Sequence, residues 1–410
     1  MAGRPDRFGI LVCLNHLELG GSQLNAIDFA TCMAERGHQV ACFAPFTGQP
    51  GPLAALLQAR GIPLEQSKRR KHVPGVSTAD VAEIRSVARR HGADLLHAYE
   101  FPMFMAAYYG AHLVDGRPLV ITVYSMEVPV WAPRTVPLIA GTAELVDACA
   151  ARRKGPSVLI EPPIDVEADR ADAVDGAGWR DEHGFGPDDV VIGIICRLAW
   201  YMKADGIERA IRAMELVGGD RAHLVVVGEG EAGDHLRAVA REVNARLGRE
   251  AVRLPGPLLD PRPAYAGADV MLGMGGSALR SLSFARPLVV LGEQGFSLPF
   301  DEQTVDVFLA GGFYGIGAGD PDPGPLAAQI EPLLGDPGRR AALGAMGRRL
   351  VLERFSLAAA ADRLEAVYRD ALRSPVPALP RVREALWSTG YRVAADRLPE
   401  RAKALLRRGA

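Results

Sequence analysis

Short apolar runs alternate with longer stretches of helical period along most of the chain. In the first half, FGILVCLN (8–15) reads as a buried strand, followed by a Gly-Gly turn and a helix through Asn25–Arg36. QVACFAP (39–45), ADLLHAY (93–99), PLVITVY (118–124), PLIAGT (137–142) and SVLIEPP (157–163) read as further strands, with helical segments at 51–60 and 78–91. Strands that alternate with helices in this way predict parallel sheets. The stretch 166–190 is rich in Asp, Gly and Ala without an apolar period, and reads as an interdomain linker with a short helix.

The alternation then restarts. VVIGIICRL (190–198), AHLVVVGEG (222–230), AVRLPG (251–256), ADVMLGM (268–274) and RPLVVLG (286–292) read as strands. Helices are predicted at 204–217, 232–247, from Ser277, and at 325–334, 337–350 and 356–372. The fold class is therefore α/β with two Rossmann-like domains, 1–170 and 171–372, facing across a cleft at the carboxyl ends of their sheets, where doubly wound folds bind ligands. A proline-rich hinge, SPVPALP (374–380), opens a basic tail, 373–410. The tail predicts one or two helices packed on the first domain. A helix lying on a membrane surface or a partner is the alternative.

Composition narrows the class. A formal net charge of −2 speaks against a nucleic-acid binder, which carries a basic excess. Lysine occurs only at 68, 71, 154, 203 and 403, a pattern of GC-rich coding, so a lysine at a motif position stands out. The five cysteines form no CxxC pair and read as reduced thiols of a cytoplasmic protein. The run Phe8–Leu14 is too short to span a membrane and lacks a cleavage pattern, so neither a signal peptide nor a transmembrane helix is expected.

Several residues carry candidate chemistry. Arg197 ends an apolar strand and Lys203 follows six residues later, before a helix. Two cations placed there could take up the charge of a departing diphosphate without a metal. GMGGSALR (273–280) is a Gly-rich strand-to-helix turn, in which Gly275, Gly276 and Ser277 could cradle phosphate, with Ser277 as N-cap or phosphate ligand. Gly20, Gly21 and Ser22 form the equivalent turn after the first strand. His97 and Glu100 end the strand 93–99, where a His and a carboxylate could bind sugar hydroxyls or move a proton. Tyr124 and Ser125 end the next strand, and Glu229 lies in a Gly-Glu-Gly turn. Asp320-Pro321-Asp322 reads as a turn and not as a metal site, and Lys68–His72 as a basic loop.

Taken in order, these segments resemble the retaining GT-B glycosyltransferases of family 4, the "glycosyl transferases group 1", over roughly residues 8–372. GGSQLNAIDFATCMAERGHQV looks like the family's first turn and helix, DLLHAYE like its "DvvHaH" strand, and ICRLAWYMKADG like its "GRL…KG" phosphate-binding segment. HLVVVGEGE and RPLVVLG look like the following pieces. The resemblance implies a nucleotide-sugar donor held by the second domain, with Arg197 and Lys203 on its diphosphate and no cofactor or catalytic metal. A small-molecule acceptor bound by the first domain is expected.

This chain also departs from the family. The Glu-x7-Glu carboxylates fall on Leu272 and Arg280, so Arg280 is a candidate phosphate contact, and Glu293 a candidate for a sugar hydroxyl. Tyr124 stands where the family carries a histidine near the reacting centre. The expected function is retaining transfer to a specialised metabolite or antibiotic precursor. A catalytically silent nucleotide-sugar-binding protein and a cell-envelope glycan or glycolipid transferase are the alternatives.

Overall fold

The computed structural model describes residues 7–18, 20–45, 51–67, 76–125, 127–315, 317 and 319–397. The basic run Lys68–His72 lies outside them, as does the tail beyond 397. The chain forms two compact units, one of Met1–Pro163 with Leu357–Ala410, the other of Ile164–Ser356.

The first unit holds seven parallel strands: β1 (Gly9–Cys13), β2 (Gln39–Ala44), β3 (Leu64–Gln66), β4 (Leu95–Tyr99), β5 (Leu119–Val123), β6 (Leu138–Ala140) and β7 (Ser157–Leu159). Their order is β3-β2-β1-β4-β5-β6-β7. Successive β1 residues serve two different cores: Ile10 and Val12 pack into one, Leu11 and Cys13 into the other. A strand covered on both faces has no polar face to show, which is why 8–15 reads as one continuous apolar run.

The second unit repeats the plan with β8 (Val190–Ile195), β9 (Ala222–Val227), β10 (Val252–Gly256), β11 (Val270–Gly273), β12 (Leu288–Leu291) and an antiparallel edge strand β13 (Ser297–Pro299), in the order β10-β9-β8-β11-β12-β13. Here Ile192 and Ile194 face one core, Val191 and Ile195 the other. In both units the strand order reverses once, between β1 and β4 and between β8 and β11. At such a switch point the connections leave to opposite sides, and a crevice opens beyond the strand ends.

The structure alters three boundaries. The stretch 166–190 is not a free linker. Trp179, in the helix Gly176–Glu182, is buried in the second unit's core, and Asp169 is buried too. The helix Leu357–Arg373, which the sequence places in the second domain, belongs to the first unit. Leu357, Ala360, Ala361, Leu364 and Tyr368 join its core, and Glu365 pairs with Arg36. An amphipathic period says that a face will be buried, not which sheet will bury it. The chain enters the second unit at Ile164 and leaves at Ser356, and these two residues form a bridge. The short edge strands β3 (LEQ) and β13 (SLP) are absent from the sequence reading, since they lack the apolar run that marks the equally short β6 and β7.

Among its described residues the tail forms one helix of its own, Ala378–Arg397, within the first unit. Its anchor is Glu384, whose side chain is 4% exposed and accepts hydrogen bonds from the backbone N–H groups of Arg134 and Thr135 and from the Thr135 hydroxyl. Glu384→Ala leaves those donors buried and unmet, so the first unit's unfolding transition should weaken by about 2–4 kcal/mol. An unchanged denaturation midpoint would show that the anchor is dispensable. Among the described residues no helix is long and apolar enough to cross a membrane.

Candidate functional site

In the second unit, five of the sequence-derived segments meet at or beside the β8/β11 switch point. β8 runs out at Ile195, and the chain continues through Cys196 and the exposed Arg197. The next segment, Trp200–Ala204, is irregular: Met202 takes φ +62, and its N–H donates to the Glu293 carboxylate at 2.6 Å. Glu293 follows β12, so it clamps the loop that carries Lys203. Burial lowers the Lys203 pKa below its ordinary value, and the Arg197 charge pushes the same way. Among the described residues neither cation has a hydrogen-bond or ion-pair partner. Two close, unpaired cations repel, and an arriving anion would relieve both.

Glycine makes this loop possible. In the Gly228-Glu229-Gly230 turn after β9, a Cβ on Gly228 would lie 1.9 Å from the Cys196 carbonyl oxygen, and one on Gly230 would lie 2.4 Å from that of Leu198. The Leu198 N–H donates to the Glu229 carbonyl at 2.9 Å. The turn is thus stitched directly to the Arg197 segment, and the Glu229 side chain is exposed beside it.

Gly275 begins the turn after β11 at φ +57, with its N–H bonded to the Phe313 carbonyl, and a Cβ there would press on the Tyr314 ring. Gly276 opens the helix Gly276–Ser283 and has open space where a Cβ would stand. The helix has no side-chain cap, so its first-turn N–H groups face outward as donors. Ser277 is not the cap the sequence suggests. Its hydroxyl donates to the Ile195 carbonyl at 2.7 Å and lies 3.1 Å from the Tyr265 hydroxyl, tying the helix start to the end of β8. Arg280 is likewise committed elsewhere. Its Nε bonds the buried Asp169 carboxylate at 2.7 Å, which removes it as an obvious phosphate ligand.

The first unit has its own crevice at the β1/β4 switch. The helix Gly21–Glu35 starts there without a side-chain cap, after Gly20. Glu100, at φ +58, gathers the surroundings: its carboxylate accepts from the Ser22 hydroxyl (3.1 Å), the Tyr124 N–H (2.8 Å), the Ser125 N–H (3.1 Å) and the Ser125 hydroxyl (2.8 Å). Burial pushes its carboxyl above the usual value, and these donors pull it back. With four donors already engaged, Glu100 ties the end of β4 to the end of β5 and to the first turn of the helix Gly21–Glu35. The Tyr124 side chain is buried in the core, so only its backbone reaches this network, while Ser125 is exposed.

His97 does not reach the crevice at all. It is 1% exposed, with Nδ1 2.6 Å from the Tyr368 hydroxyl and Nε2 2.7 Å from that of Thr122. This corrects the catalytic role suggested by its place at a strand end: the residue points into the first unit's core. Burial lowers its pKa to about 3. Unfolding lets it protonate near its ordinary value, so its contribution to stability is complete above pH 6.5 and declines as pH falls toward 3. By pH 5 it should cost about 2 kcal/mol. A His97→Gln protein should accordingly lose less stability than wild type between pH 7 and pH 5, and parallel curves would disprove the assignment.

Asp320-Pro321-Asp322 is a turn, in which Asp322 caps the next helix through the Gly324 N–H. Among the described residues no three His, Cys, Asp or Glu side chains are grouped to hold a metal ion. Sequence reasoning passed over Trp200 and Tyr201, which are 55% and 72% exposed within the loop between the two cations. Two adjacent aromatics between motif cations were the available signal.

The matches to known proteins follow the same two units. Residues 19–151 match the model of Glycosyltransferase Family 4, and residues 189–336 match that of Glycosyl transferases group 1. The chain belongs to the GT-B glycosyltransferases. It is thus a glycosyltransferase, and its two doubly wound units have the GT-B fold. The fold is shared with the Anabaena protein HepE in complex with UDP and glucose, at 18% identity, TM-score 0.67, and coverage of 88% of this chain and all of that one. A glycosyltransferase from Rickettsia africae superposes with TM-score 0.71 at 15% identity, covering 90% of this chain and all of that one. WaaG, a glycosyltransferase involved in lipopolysaccharide biosynthesis, gives 0.60 at 15%, covering 86% of this chain and 98% of that one. None of the curated proteins matches the chain.

Proposed function

We propose that this glycosyltransferase moves a sugar, with retention of configuration, from a nucleoside diphosphate to a hydroxyl of a small-molecule acceptor. Arg197 and Lys203 receive the leaving group. The observation that carries this reading is the unpaired Arg197–Lys203 couple at the β8/β11 switch. The bond between the anomeric carbon and the diphosphate oxygen breaks, the acceptor oxygen attacks from the same side, and its proton passes to the departing phosphate oxygen. The two cations stabilise the charge as it develops, and the first-turn N–H groups at Gly276 and Ser277 add donors. They supply the positive charge that a divalent metal would otherwise bring. Such a path needs no protein base, in keeping with an enclosed His97 and a saturated Glu100. A specialised metabolite or antibiotic precursor is the proposed acceptor class.

The test is nucleotide binding by calorimetry against UDP, GDP, dTDP, ADP and CDP, with and without EDTA. UDP comes first because the Anabaena neighbour was solved with it. Binding of one nucleotide, unchanged by EDTA, is expected; a requirement for metal would overturn the two-cation mechanism. Product NMR then reads the anomeric configuration. One observation favours a second reading, a catalytically silent nucleotide-sugar binder. Leu272 is fully buried where the family has one Glu, and Arg280, in place of the other, is ion-paired to Asp169. Nucleotide binding without turnover on any acceptor would select it.

A further inference from the structure

The helix Ala378–Arg397 is mounted with its polar side inward. Glu384 is buried against the Arg134–Thr135 backbone, the Ser388 hydroxyl donates to the Trp131 carbonyl at 2.9 Å, and Arg381 donates to the His112 carbonyl at 2.7 Å. The Arg134 guanidinium stacks 3.5 Å from the Trp387 ring centroid, and Arg392 lies over Phe101 and Trp131. These contacts fix the rotation of the helix, and they leave an aliphatic row pointing out: Leu379 (59% exposed), Val382 (47%), Leu386 (70%) and Val393 (46%). At 100° per residue the four fall within about 60° of one another, along roughly 21 Å of helix. A surface helix ordinarily buries this side.

We propose that this row is a docking surface for an anionic lipid bilayer, on which the helix lies in the plane of the interface. Charge selects the occupant. Among residues 378–393 the only acid is Glu384, which is buried and hydrogen-bonded, while Arg383 is exposed beside the row. The sequence from 394 onward adds Arg397, Arg401, Lys403, Arg407 and Arg408 against Asp396 and Glu400. A narrow apolar row with basic flanks matches a headgroup region that takes the aliphatic tips and attracts arginine. A second copy of the chain fits less well. A two-fold pairing would set Arg383 and its neighbours against themselves, and four side chains offer much less than the about 800 Å² per partner of a stable dimer.

The experiment uses the full chain and co-sedimentation with vesicles of phosphatidylcholine alone, or of equal parts phosphatidylcholine and phosphatidylglycerol. Wild type should sediment with the anionic vesicles and much less with the neutral ones, and added salt should weaken binding. The double variant Val382→Glu/Leu386→Glu should bind at least about tenfold more weakly. Because both positions are exposed, it should keep the wild-type circular dichroism, Tm and nucleotide affinity. An Arg383→Gln variant gives a milder change, and should show binding lost and folding kept if the double variant proves unstable. Wild type that ignores anionic vesicles, or binds both kinds equally, would overturn the proposal. So would a concentration-dependent dimer that the double variant abolishes, since the row would then be a self-association face.

Discussion

Arg197→Ala is expected to lower kcat by on the order of 10²-fold or more, comparable to the loss of a preorganised donor at a developing anion. Arg197 differs from most described arginines in what it lacks. Most described arginines are spent on carboxylates or carbonyls, as Arg180 is on Asp269 and Arg348 on the carbonyls of Val166 and Ser283. Arg197 is exposed at a strand end with no partner among the described residues, next to a lysine whose proton affinity it depresses. Charge on the diphosphate grows as the sugar bond breaks, so the interaction is stronger in the transition state than in the bound donor. The loss should therefore fall on kcat more than on KM. Lys203→Ala should act in the same direction. Removing either cation should raise the proton affinity or relax the repulsion of the other, so the double variant should lose less than the sum of the single losses. A variant turning over at near the wild-type rate would remove Arg197 from the mechanism.

Much of this arrangement was legible in the chain. Continuous apolar runs such as VVIGIICRL identified the buried parallel strands, and strand ends located Arg197, Gly275 and Glu293, because doubly wound sheets bring their carboxyl ends to one edge. What position along a strand does not reveal is the direction of a side chain. His97 and Arg197 both stand near strand ends, yet one is enclosed by Tyr368 and Thr122 while the other is exposed. The decisive partner of His97 lies 271 residues away in sequence, on a helix that the alternation assigns to the other domain. Arg280 departs from its sequence reading for a related reason: its partner Asp169 sits in a polar stretch with no periodic signal, which only the folded chain brings against the helix Gly276–Ser283. The Glu100 network was half visible. The sequence reading singles out the carboxylate, but its four donors come from the first turn of the helix Gly21–Glu35 and from the end of β5.

Gly228→Ala should both destabilise the second unit and weaken nucleotide binding, although residue 228 has no side chain to offer a ligand. The added Cβ would stand 1.9 Å from the Cys196 carbonyl oxygen, a backbone atom that cannot swing aside, and φ +150 is itself unfavourable for alanine. Relief requires the turn after β9 to part from the segment 196–198. That segment is held on both sides, by Cys196 N–H to the Val227 carbonyl at 3.1 Å, by Leu198 N–H to the Glu229 carbonyl at 2.9 Å, and by Ala232 N–H to the Leu198 carbonyl at 2.9 Å. Separation breaks these bonds and carries Arg197 out of register with Lys203. The stability cost should be about 2–4 kcal/mol, and affinity for whichever nucleotide the wild type binds should fall by more than about tenfold, a loss of more than about 1.4 kcal/mol in binding. Gly248→Ala supplies the control. Gly248 has φ +66 and open space around its missing Cβ, so that variant bears backbone strain alone, about 1 kcal/mol, and should bind nucleotide as wild type does. If both variants bind equally well, the close approach of the β9 turn does not position Arg197. If only Gly228→Ala fails, the glycine serves the site through the backbone it admits, with Arg197 as the group it places.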